Sequence, residues 1–308
     1  GRHMKIAIMG TGGIGGYFGG SLAHAGLDVT FIARGHHLQA IREDGLQVQS
    51  PNGDFVVKPA KATDHPAEVG VVDVILFCVK TYDVEQAAEQ MRPLIGAQTV
   101  ILPVLNGIDH IEKLSALIGA EHVLGGIVAC GSHIAAPGVI HHTSFNTITF
   151  GEMGGGMSAR CEAIQKVFTV HGVVMVVTPN VVHSLWQKLT NLSGLGVCSA
   201  VRGGYHVVRS APETLELVRQ AAQETVALAH AKGIAVPDTM PADLVKLFRE
   251  FPLDFKPSML VDLEHGRRLE VEWLNGTVSR LGKAVGVPTP VNDYIYASLK
   301  PWANGKAQ

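Results

Sequence analysis

Residues 5–26, KIAIMGTGGIGGYFGGSLAHAG, decide the fold of the first part of this chain. A short apolar run leads into Gly10, Gly12 and Gly15, which have G-x-G-x-x-G spacing, and a helical pattern (16–26) follows. The first glycine permits a tight turn, the second lets a pyrophosphate approach the backbone, and the third packs the helix on the strand. The helix N-terminus also favours phosphate. This context predicts a dinucleotide site made by Gly10, Thr11, Gly12, Gly13, Ile14 and Gly15; the alternative is a purely structural turn.

Strand and helix patterns alternate through the first half of the chain. Strands are predicted at 5–10, 28–34, 72–80, 98–107, 122–134 and 146–152, helices at 16–26, 36–45 and 82–95, and a hairpin around the Asn-Gly of 50–54. From about residue 181 the strand signal disappears and long helical patterns such as 212–233 take over. We therefore predict an α/β fold: a doubly wound parallel sheet of the Rossmann type at 4–180, followed by an all-helical domain at 181–308.

Composition excludes several classes of protein. Hydrophobic residues make up 46% and charged residues 17% of the 308, which is typical of a globular chain rather than a disordered one. A net charge of −2 means that the chain lacks the excess positive charge typical of proteins that bind nucleic acid or anionic membranes. No apolar run approaches the ~20 residues that span a bilayer. The first four residues, GRHM, resemble the remnant of an expression tag, so a natural start at Met4 and a cytoplasmic location are expected.

Cysteines and histidines give no sign of a metal site. The four cysteines are scattered without a C-x-x-C pair, which favours free thiols in a reducing compartment. His141 and His142 are adjacent in a strand-like stretch, so their side chains are expected on opposite faces and cannot chelate one metal together. No metal is predicted.

The end of the second predicted strand indicates which dinucleotide is bound. NAD sites usually carry an acidic residue there, whereas this chain has Arg34. An arginine can pair with a 2′-phosphate through two hydrogen bonds, so NADP(H) is predicted. Lys80, at the tip of a later strand, is a second candidate for the same phosphate. The alternative for both residues is an ordinary solvated charge.

One lysine stands out in the second half. Apart from histidines, Lys188 in SLWQKLTN (184–191) is the only formal charge between Lys166 and Arg202. A lysine can lay its stem on apolar surface and keep its ammonium in water, so a surface role is one interpretation. A catalytic ammonium in an apolar setting is the other.

The sequence resembles the ketopantoate reductase (2-dehydropantoate 2-reductase) family over nearly its whole length. The likeness rests on the opening 4–34, VILFCVKTYD (74–83), VLNGID (104–109), GGIVACGSHIAAPGVIHHT (125–143) with TITFGE (147–152), Trp-x-Lys at 186–188, and SMLVDLEHGRRLEVEWLNG (258–276). It implies a helical domain like the C-terminal domain of 6-phosphogluconate dehydrogenase. It also implies NADPH-dependent reduction of a small 2-keto acid to a 2-hydroxy acid. The leading substrate is ketopantoate, which gives pantoate in pantothenate biosynthesis.

The resemblance also implies roles for single residues. Lys188 matches the general acid that protonates the ketone oxygen, and Glu270 the carboxylate that contacts the substrate hydroxyl and the lysine. Asn106 matches the asparagine between nicotinamide and lysine, and Ser258 the residue that binds the substrate carboxylate. Arg34 and Lys80 match the pair that grips the 2′-phosphate.

Three of these positions have structural alternatives. Glu270 is interpretable as a helix residue in ion pairs with Arg267 and Arg268. Ser258 would be a helix N-cap, and Asn106 would serve only its Asn-Gly turn.

Two positions depart from the family pattern. Its best-known members carry asparagines four and eight residues after the lysine, where this chain has Leu192 and Gly196. Asn191, three residues after Lys188, is the candidate replacement for substrate binding. A more apolar 2-keto acid therefore stands beside ketopantoate as a substrate.

The sequence leaves other functions and the oligomeric state open. The rival functions are a dehydrogenase of the 3-hydroxyacid or 6-phosphogluconate type and a catalytically silent NADP(H) sensor. The apolar helices of the second half are compatible with packing inside the chain or in a homodimer.

Overall fold

The computed structural model describes residues 3–307, so Gly1 and Arg2 of the expected tag remnant lie outside the described residues. The chain divides into two compact units. The first comprises the described residues up to Leu105 and His110–Val181, and the second comprises Asn106–Asp109 and the described residues from Val182 on. The first unit thus ends one residue from the predicted boundary. The turn 106–109 differs from the prediction, because it groups with the second unit.

A five-stranded parallel sheet forms the centre of the first unit, with strand order β5-β2-β1-β6-β7. Its strands are β1 (Lys5–Met9), β2 (Asp28–Ile32), β5 (Lys61–Thr63), β6 (Val74–Phe77) and β7 (Val100–Pro103). All residues of β6 and β7 are buried, as expected for strands covered on both faces. This is the predicted Rossmann-type sheet, with β1 in the middle.

A second sheet in the same unit was not predicted as separate. It consists of β3 (Leu46–Gln49), β4 (Phe55–Val57), β8 (Gly125–Ala136), β9 (Val139–Gly151) and β10 (Val174–Val177). Its order is β10-β9-β3-β4, and β8 pairs antiparallel with β9. The predicted hairpin at 50–54 joins β3 to β4. Strands 122–134 and 146–152 therefore form a long hairpin outside the parallel sheet.

Helices α1 to α5 connect the strands of the first unit. Their bounds are α1 (Gly13–His24), α2 (Gly35–Asp44), α3 (Val84–Gln90), α4 (Asp109–Ile118) and α5 (Ala159–Phe168). The single helix predicted at 82–95 is instead a 3₁₀ turn (Thr81–Asp83), α3 and a second 3₁₀ turn (Arg92–Leu94). Pro93 explains the break, because it has no N–H to continue the helical hydrogen bonds.

The second unit contains helices and no strand among the described residues, as predicted. The helices are α6 (Val181–Val201), α7 (Tyr205–Val208), α8 (Pro212–Ala231), α9 (Met240–Glu250), α10 (Ser258–Glu264), α11 (Asn275–Val285) and α12 (Pro290–Leu299). Short 3₁₀ turns lie at Val271–Trp273 and Lys300–Trp302. Each unit has its own hydrophobic core, with Phe31 and Phe150 fully buried in the first and Val226 and Phe248 in the second.

Two global features bear on the sequence predictions. Across residues 3–307, no helix combines the length and apolar character that crossing a bilayer requires. Cys78, Cys130, Cys161 and Cys198 are all free thiols.

Candidate functional site

The glycine loop turns sharply directly after β1. Gly10 has φ +96°, and a Cβ at this position would lie 3.0 Å from the backbone carbonyl carbon and oxygen of Cys78. Only glycine fits such a turn. Burial raises the pKa of the Cys78 thiol, so this sulfur stays protonated beside the loop.

The next glycines fulfil the two other geometric requirements of the motif. Gly12 is the N-cap of α1, and no heavy atom outside its local backbone lies within 4 Å of the Cβ it lacks. Its backbone is therefore open to a large group. A Cβ at Gly15 would lie 2.1 Å from the Gly10 carbonyl oxygen, so this glycine allows α1 to pack closely on the loop. Thr11 is buried and donates a 2.9 Å hydrogen bond to the Ile32 carbonyl in β2.

Arg34 and Lys80 flank this loop. In the sheet register Met9 of β1 pairs with Ile32 of β2 on one side and with Phe77 of β6 on the other. Arg34 and Lys80 follow those two strands by two and three residues, and both side chains are exposed. An open backbone, a helix N-terminus and a cation on each side suit a dinucleotide with several phosphates.

Lys188 lies in the second unit, on α6. It is half-buried, while its neighbours Trp186 and Leu189 are only 4% and 1% exposed. It is the only Lys, Arg, Asp or Glu in this 21-residue helix. A half-buried lysine with no other Lys, Arg, Asp or Glu on its helix is a candidate for a functional amine.

Glu270 is buried, with 7% of its surface exposed, between Leu269 and Val271. It directly precedes the 3₁₀ turn Val271–Trp273 and is not part of a helix. Among the arginines predicted as alternative partners, Arg267 contacts Asp262 at 3.4 Å. Interpretation of Glu270 as a residue on a helix is therefore wrong.

Asn106 lies in the bend that follows β7 and is half-buried. The next residue, Gly107, has φ +84°, and a Cβ there would lie 2.8 Å from the Trp273 carbonyl oxygen. The turn at Asn106 thus packs directly against the 3₁₀ turn that follows Glu270. Both segments belong to the second unit.

The helix of Lys188 also meets the segment that follows Glu270. Asn275, the first residue of α11, is fully buried, and its Nδ2 donates to the Ser193 carbonyl at 3.0 Å. A Cβ at Gly196 would lie 2.5 Å from Asn275 Oδ1, so the amide occupies the space that a side chain at 196 would need. The second unit therefore gathers the segments of three predicted residues, Asn106, Lys188 and Glu270.

Ser258 is the first residue of α10 and is exposed. Pro257 occupies the N-cap position, and no side chain caps this helix end. Interpretation of Ser258 as an N-cap is therefore wrong.

The residues beyond Lys188 present a mainly apolar surface. Asn191 is exposed, whereas Leu192 and Leu195 are half-buried. Leu192 follows Lys188 by four residues and thus lies on the same helix face. The predicted substrate residue Asn191 follows Lys188 by three residues, so it also neighbours Lys188 on the helix surface, with an exposed side chain.

Two residues that contact the glycine loop were not predicted. His37 Nε2 lies 2.8 Å from the Thr11 carbonyl oxygen, and Ser132 Oγ donates to the Gly13 carbonyl at 2.8 Å. His37 lies outside the segments that carry the family resemblance and Ser132 lies inside one of them (125–143), but no spacing rule assigns either residue a contact with the glycine loop. Within residues 3–307 there is no group of three or more His, Cys, Asp or Glu that could hold a metal ion. His142 bonds Ser50 and Phe145, while His141 approaches Gln49 on the other face.

Comparison with known proteins gives matches along the chain. The family model described as ketopantoate reductase PanE/ApbA matches residues 6–155, and the model of its C-terminal part matches residues 180–303. The 2-dehydropantoate 2-reductase of Mesorhizobium japonicum is 30% identical over 96% of this chain and 97% of its own length. These matches show relatedness over both halves.

Solved structures share the fold. That of 2-dehydropantoate 2-reductase from Geobacter metallireducens GS-15 has a TM-score of 0.90 and 32% identity, and covers 96% of this chain and 99% of its own. A ternary structure of D-mandelate dehydrogenase with NADH and anilino(oxo)acetate has a TM-score of 0.88 at 24% identity, covering 97% and 98%, a likeness of fold. The predicted Rossmann-type domain followed by a helical domain is confirmed.

Proposed function

The chain belongs to the ketopantoate reductase family, and from this premise we propose that it reduces the ketone of a 2-keto acid to a 2-hydroxy acid with NADPH. The leading substrate is 2-dehydropantoate, whose reduction gives pantoate for pantothenate biosynthesis. The observation that carries this proposal is the half-buried Lys188, the only such charge on α6, in the same unit as the buried Glu270 and the Asn106 turn.

Lys188 is the proposed general acid. Reduction of a ketone builds negative charge on its oxygen, and a nearby ammonium stabilises that charge and supplies the proton. The bound nicotinamide supplies the hydride.

Glu270, Asn106 and Ser258 are proposed to bind and orient the substrate. A carboxylate as buried as Glu270 needs polar partners, and a substrate hydroxyl and the Lys188 ammonium are suitable ones. Asn106 offers an amide next to the turn that follows Glu270. The exposed Ser258 hydroxyl offers a hydrogen-bond donor to a substrate carboxylate.

NADP is the proposed cofactor rather than NAD. The support is charge: Arg34 and Lys80 flank the loop, and Ala33-Arg34 stands where an acidic residue would bind ribose hydroxyls. Replacement of Arg34 by Asp is expected to raise the KM for NADPH by about tenfold or more and to leave the KM for NADH little changed. Equal effects on both cofactors would contradict this assignment.

The decisive experiment is NADPH oxidation with ketopantoate. We expect turnover by the wild-type protein and a loss in kcat of about 100- to 10,000-fold in Lys188→Ala, because the proton donor is removed. NADPH binding, measured by fluorescence, should be retained in this variant. Lys246→Ala, which removes an exposed lysine of α9 in the same unit, is the matched control and should keep full activity.

A second candidate is a reductase of the same kind that prefers an apolar 2-keto acid. The observation that favours it is the half-buried pair Leu192 and Leu195 on the helix of Lys188. Side chains of this kind favour an aliphatic or aromatic substrate over a hydroxylated one. Comparing kcat/KM for ketopantoate, 2-ketoisovalerate, 2-ketoisocaproate and phenylglyoxylate decides between the two substrates. Tight NADPH binding with no turnover of any keto acid would instead indicate the NADP(H) sensor.

A further inference from the structure

The side chain of His37 joins three elements of the first unit. From the first turns of α2, its Nε2 lies 2.8 Å from the Thr11 carbonyl oxygen of the glycine loop. Its Nδ1 accepts a 2.9 Å hydrogen bond from the N–H of Gly138, in the turn between β8 and β9. A backbone N–H only donates, so Nδ1 carries no proton and Nε2–H donates to Thr11. A single neutral tautomer satisfies both contacts.

Three consecutive carbonyl groups of the glycine loop accept hydrogen bonds from protein donors. His37 donates to Thr11 O, the N–H of Gly16 donates to Gly12 O at 2.8 Å, and Ser132 Oγ donates to Gly13 O at 2.8 Å. In a trans peptide the C=O of one residue and the N–H of the next point in opposite directions. The bond from His37 to Thr11 O therefore sets the direction of the Gly12 N–H.

The other end of the histidine is anchored as well. Gly138 has φ +76°, and a Cβ there would lie 3.0 Å from the Ala40 Cβ, so the turn packs tightly on α2. The Gly138 carbonyl accepts a 2.9 Å hydrogen bond from the N–H of Gln47 in β3. The His37 ring is thus held by one hydrogen bond to the glycine loop and one to the β8–β9 turn of the second sheet.

We propose that His37 is a positioning residue for the dinucleotide, which holds the Thr11–Gly12 peptide so that the Gly12 N–H faces the pyrophosphate. This inference rests on the proposed use of the glycine loop for NADPH. It assigns His37 no contact with substrate or with the reacting atoms. Its effect is on cofactor affinity and not on the chemical step.

Two substitutions separate the two contacts of the ring. The end of a glutamine side chain reaches about as far as Nε2, so His37→Gln retains a donor to Thr11 O. An asparagine reaches only to the level of Nδ1, so His37→Asn retains an acceptor for the Gly138 N–H and loses the contact to Thr11. We expect the Kd for NADPH to rise about tenfold in His37→Asn and His37→Ala, and to stay within about threefold of wild type in His37→Gln.

The readouts distinguish positioning from a general loss of structure. The kcat at saturating NADPH and the KM for the keto acid should remain within about twofold of wild type in all three variants, since the chemistry is unchanged. Thermal unfolding of each variant verifies that folded protein is compared. His24→Ala, which removes an exposed histidine at the far end of α1, is the control and should bind NADPH like the wild type.

The outcomes also separate this proposal from the proposed function. If the wild type binds neither NADPH nor NADH, the proposed function is wrong. If the wild type binds NADPH and folded His37→Asn binds it equally well, the role of His37 is wrong while the proposed function stands. Equal weakening in His37→Gln and His37→Asn would also overturn the role of His37, because keeping the contact to Thr11 would then have no effect.

Discussion

Asn275 of α11 occupies the space that a side chain at position 196 of α6 would need, so Gly196 is restricted to glycine. Asn275 Nδ2 donates to Ser193 O and to Asn292 Oδ1, and its Oδ1 lies over the Cα of Gly196. The amide of the buried Asn275 thus fills the position where the family resemblance implies an asparagine on α6. A polar group is present near that position, but it comes from α11.

Restoring the family asparagine at position 196 is therefore expected to destabilise the protein. Even the first side-chain carbon at 196 would lie 2.5 Å from Asn275 Oδ1, and a fully buried site has no room to relax. We expect Gly196→Asn to lower the free energy of unfolding by about 1–3 kcal/mol or more, measured by urea denaturation. An unchanged urea midpoint would show that Asn275 moves aside freely.

Leu192 offers the matching change that the fold should tolerate. It is half-buried and packs on the edge of the second core, so Leu192→Asn removes part of an apolar contact but meets no clash like that at position 196. We expect this variant to shift the ratio of kcat/KM toward hydroxylated keto acids and away from apolar ones, by about tenfold. A ratio that does not move would place the substrate side chain elsewhere on the protein.

Local backbone geometry was predictable where a sequence pattern carries it. The spacing of Gly10, Gly12 and Gly15 identified the loop, since turn, open backbone and close packing are properties of the chain at those positions. His37 and Ser132 were missed because their partners lie 26 and 119 residues away in sequence. Contacts over such separations depend on the folded arrangement of β8 and α2, which no short motif encodes.

At the scale of elements, the parallel sheet was predictable and the second sheet was not. The apolar runs that became β1, β2, β6 and β7 are short and bounded by turn residues, which is typical of buried parallel strands. The chain shows no sign that 122–134 and 146–152 leave that sheet to pair with each other. Helices α4 and α5 and strands β5 and β10 were also missed; β5 has only three residues and β10 only four.

The start of α12 depends on a carboxylate from another helix. Glu224 of α8 accepts hydrogen bonds from the N–H groups of Val291 and Asn292, both at 3.0 Å, and from Asn292 Nδ2 at 2.9 Å. A carboxylate at a helix N-terminus satisfies N–H groups that have no partner in the helix and interacts favourably with the helix dipole. Glu224 therefore acts as a cap supplied from a distance.

Removal of this cap should weaken the second unit. We expect Glu224→Ala to reduce the free energy of unfolding by about 1–3 kcal/mol, because the buried Asn292 loses an acceptor together with two backbone groups. Gln223→Ala, at the adjacent exposed position of α8, is the control and should change it by less than about 0.5 kcal/mol. Equal urea midpoints for the two variants would contradict the role of Glu224.

At the scale of the whole molecule, two groups of the first unit make stability depend on pH. Burial lowers the pKa of His37 below its usual 6.5, although the hydrogen bond to Thr11 opposes this. Hydrogen bonds from Arg160, at 2.7 and 2.6 Å, lower the pKa of Glu152 below its usual 4.5, against the effect of burial. In both cases the unfolded chain binds more protons than the folded protein once the pH falls below the usual value.

Acid should therefore destabilise the protein in two stages. The contribution of His37 to the free energy of unfolding is complete above pH 6.5 and decreases as the pH falls toward its lowered pKa. The contribution of Glu152 to the free energy of unfolding is complete above pH 4.5 and decreases below that pH. Urea unfolding between pH 8 and pH 4 should show a shallower slope below pH 6.5 in His37→Gln. Glu152→Gln should change the slope only below pH 4.5. A pH profile that both variants share with the wild type would contradict these assignments.

The second unit is not one continuous stretch of sequence, because it includes residues 106–109 as well as the chain from Val182 on. Asp109 accepts hydrogen bonds from Thr277 Oγ1 at 2.6 Å and from Arg280 at 2.7 Å, and Gly107 packs on Trp273. A gene fragment for residues 182–308 would therefore leave Thr277 and Arg280 without their carboxylate partner. A recombination crossover at 181 between two relatives would pair a helical half from one parent with a 106–109 turn from the other. We expect chimeras to fold when residues 106–109 and 182–308 come from the same parent. A chimera library sorted for folded protein would test whether the folded members share one parent for these two segments.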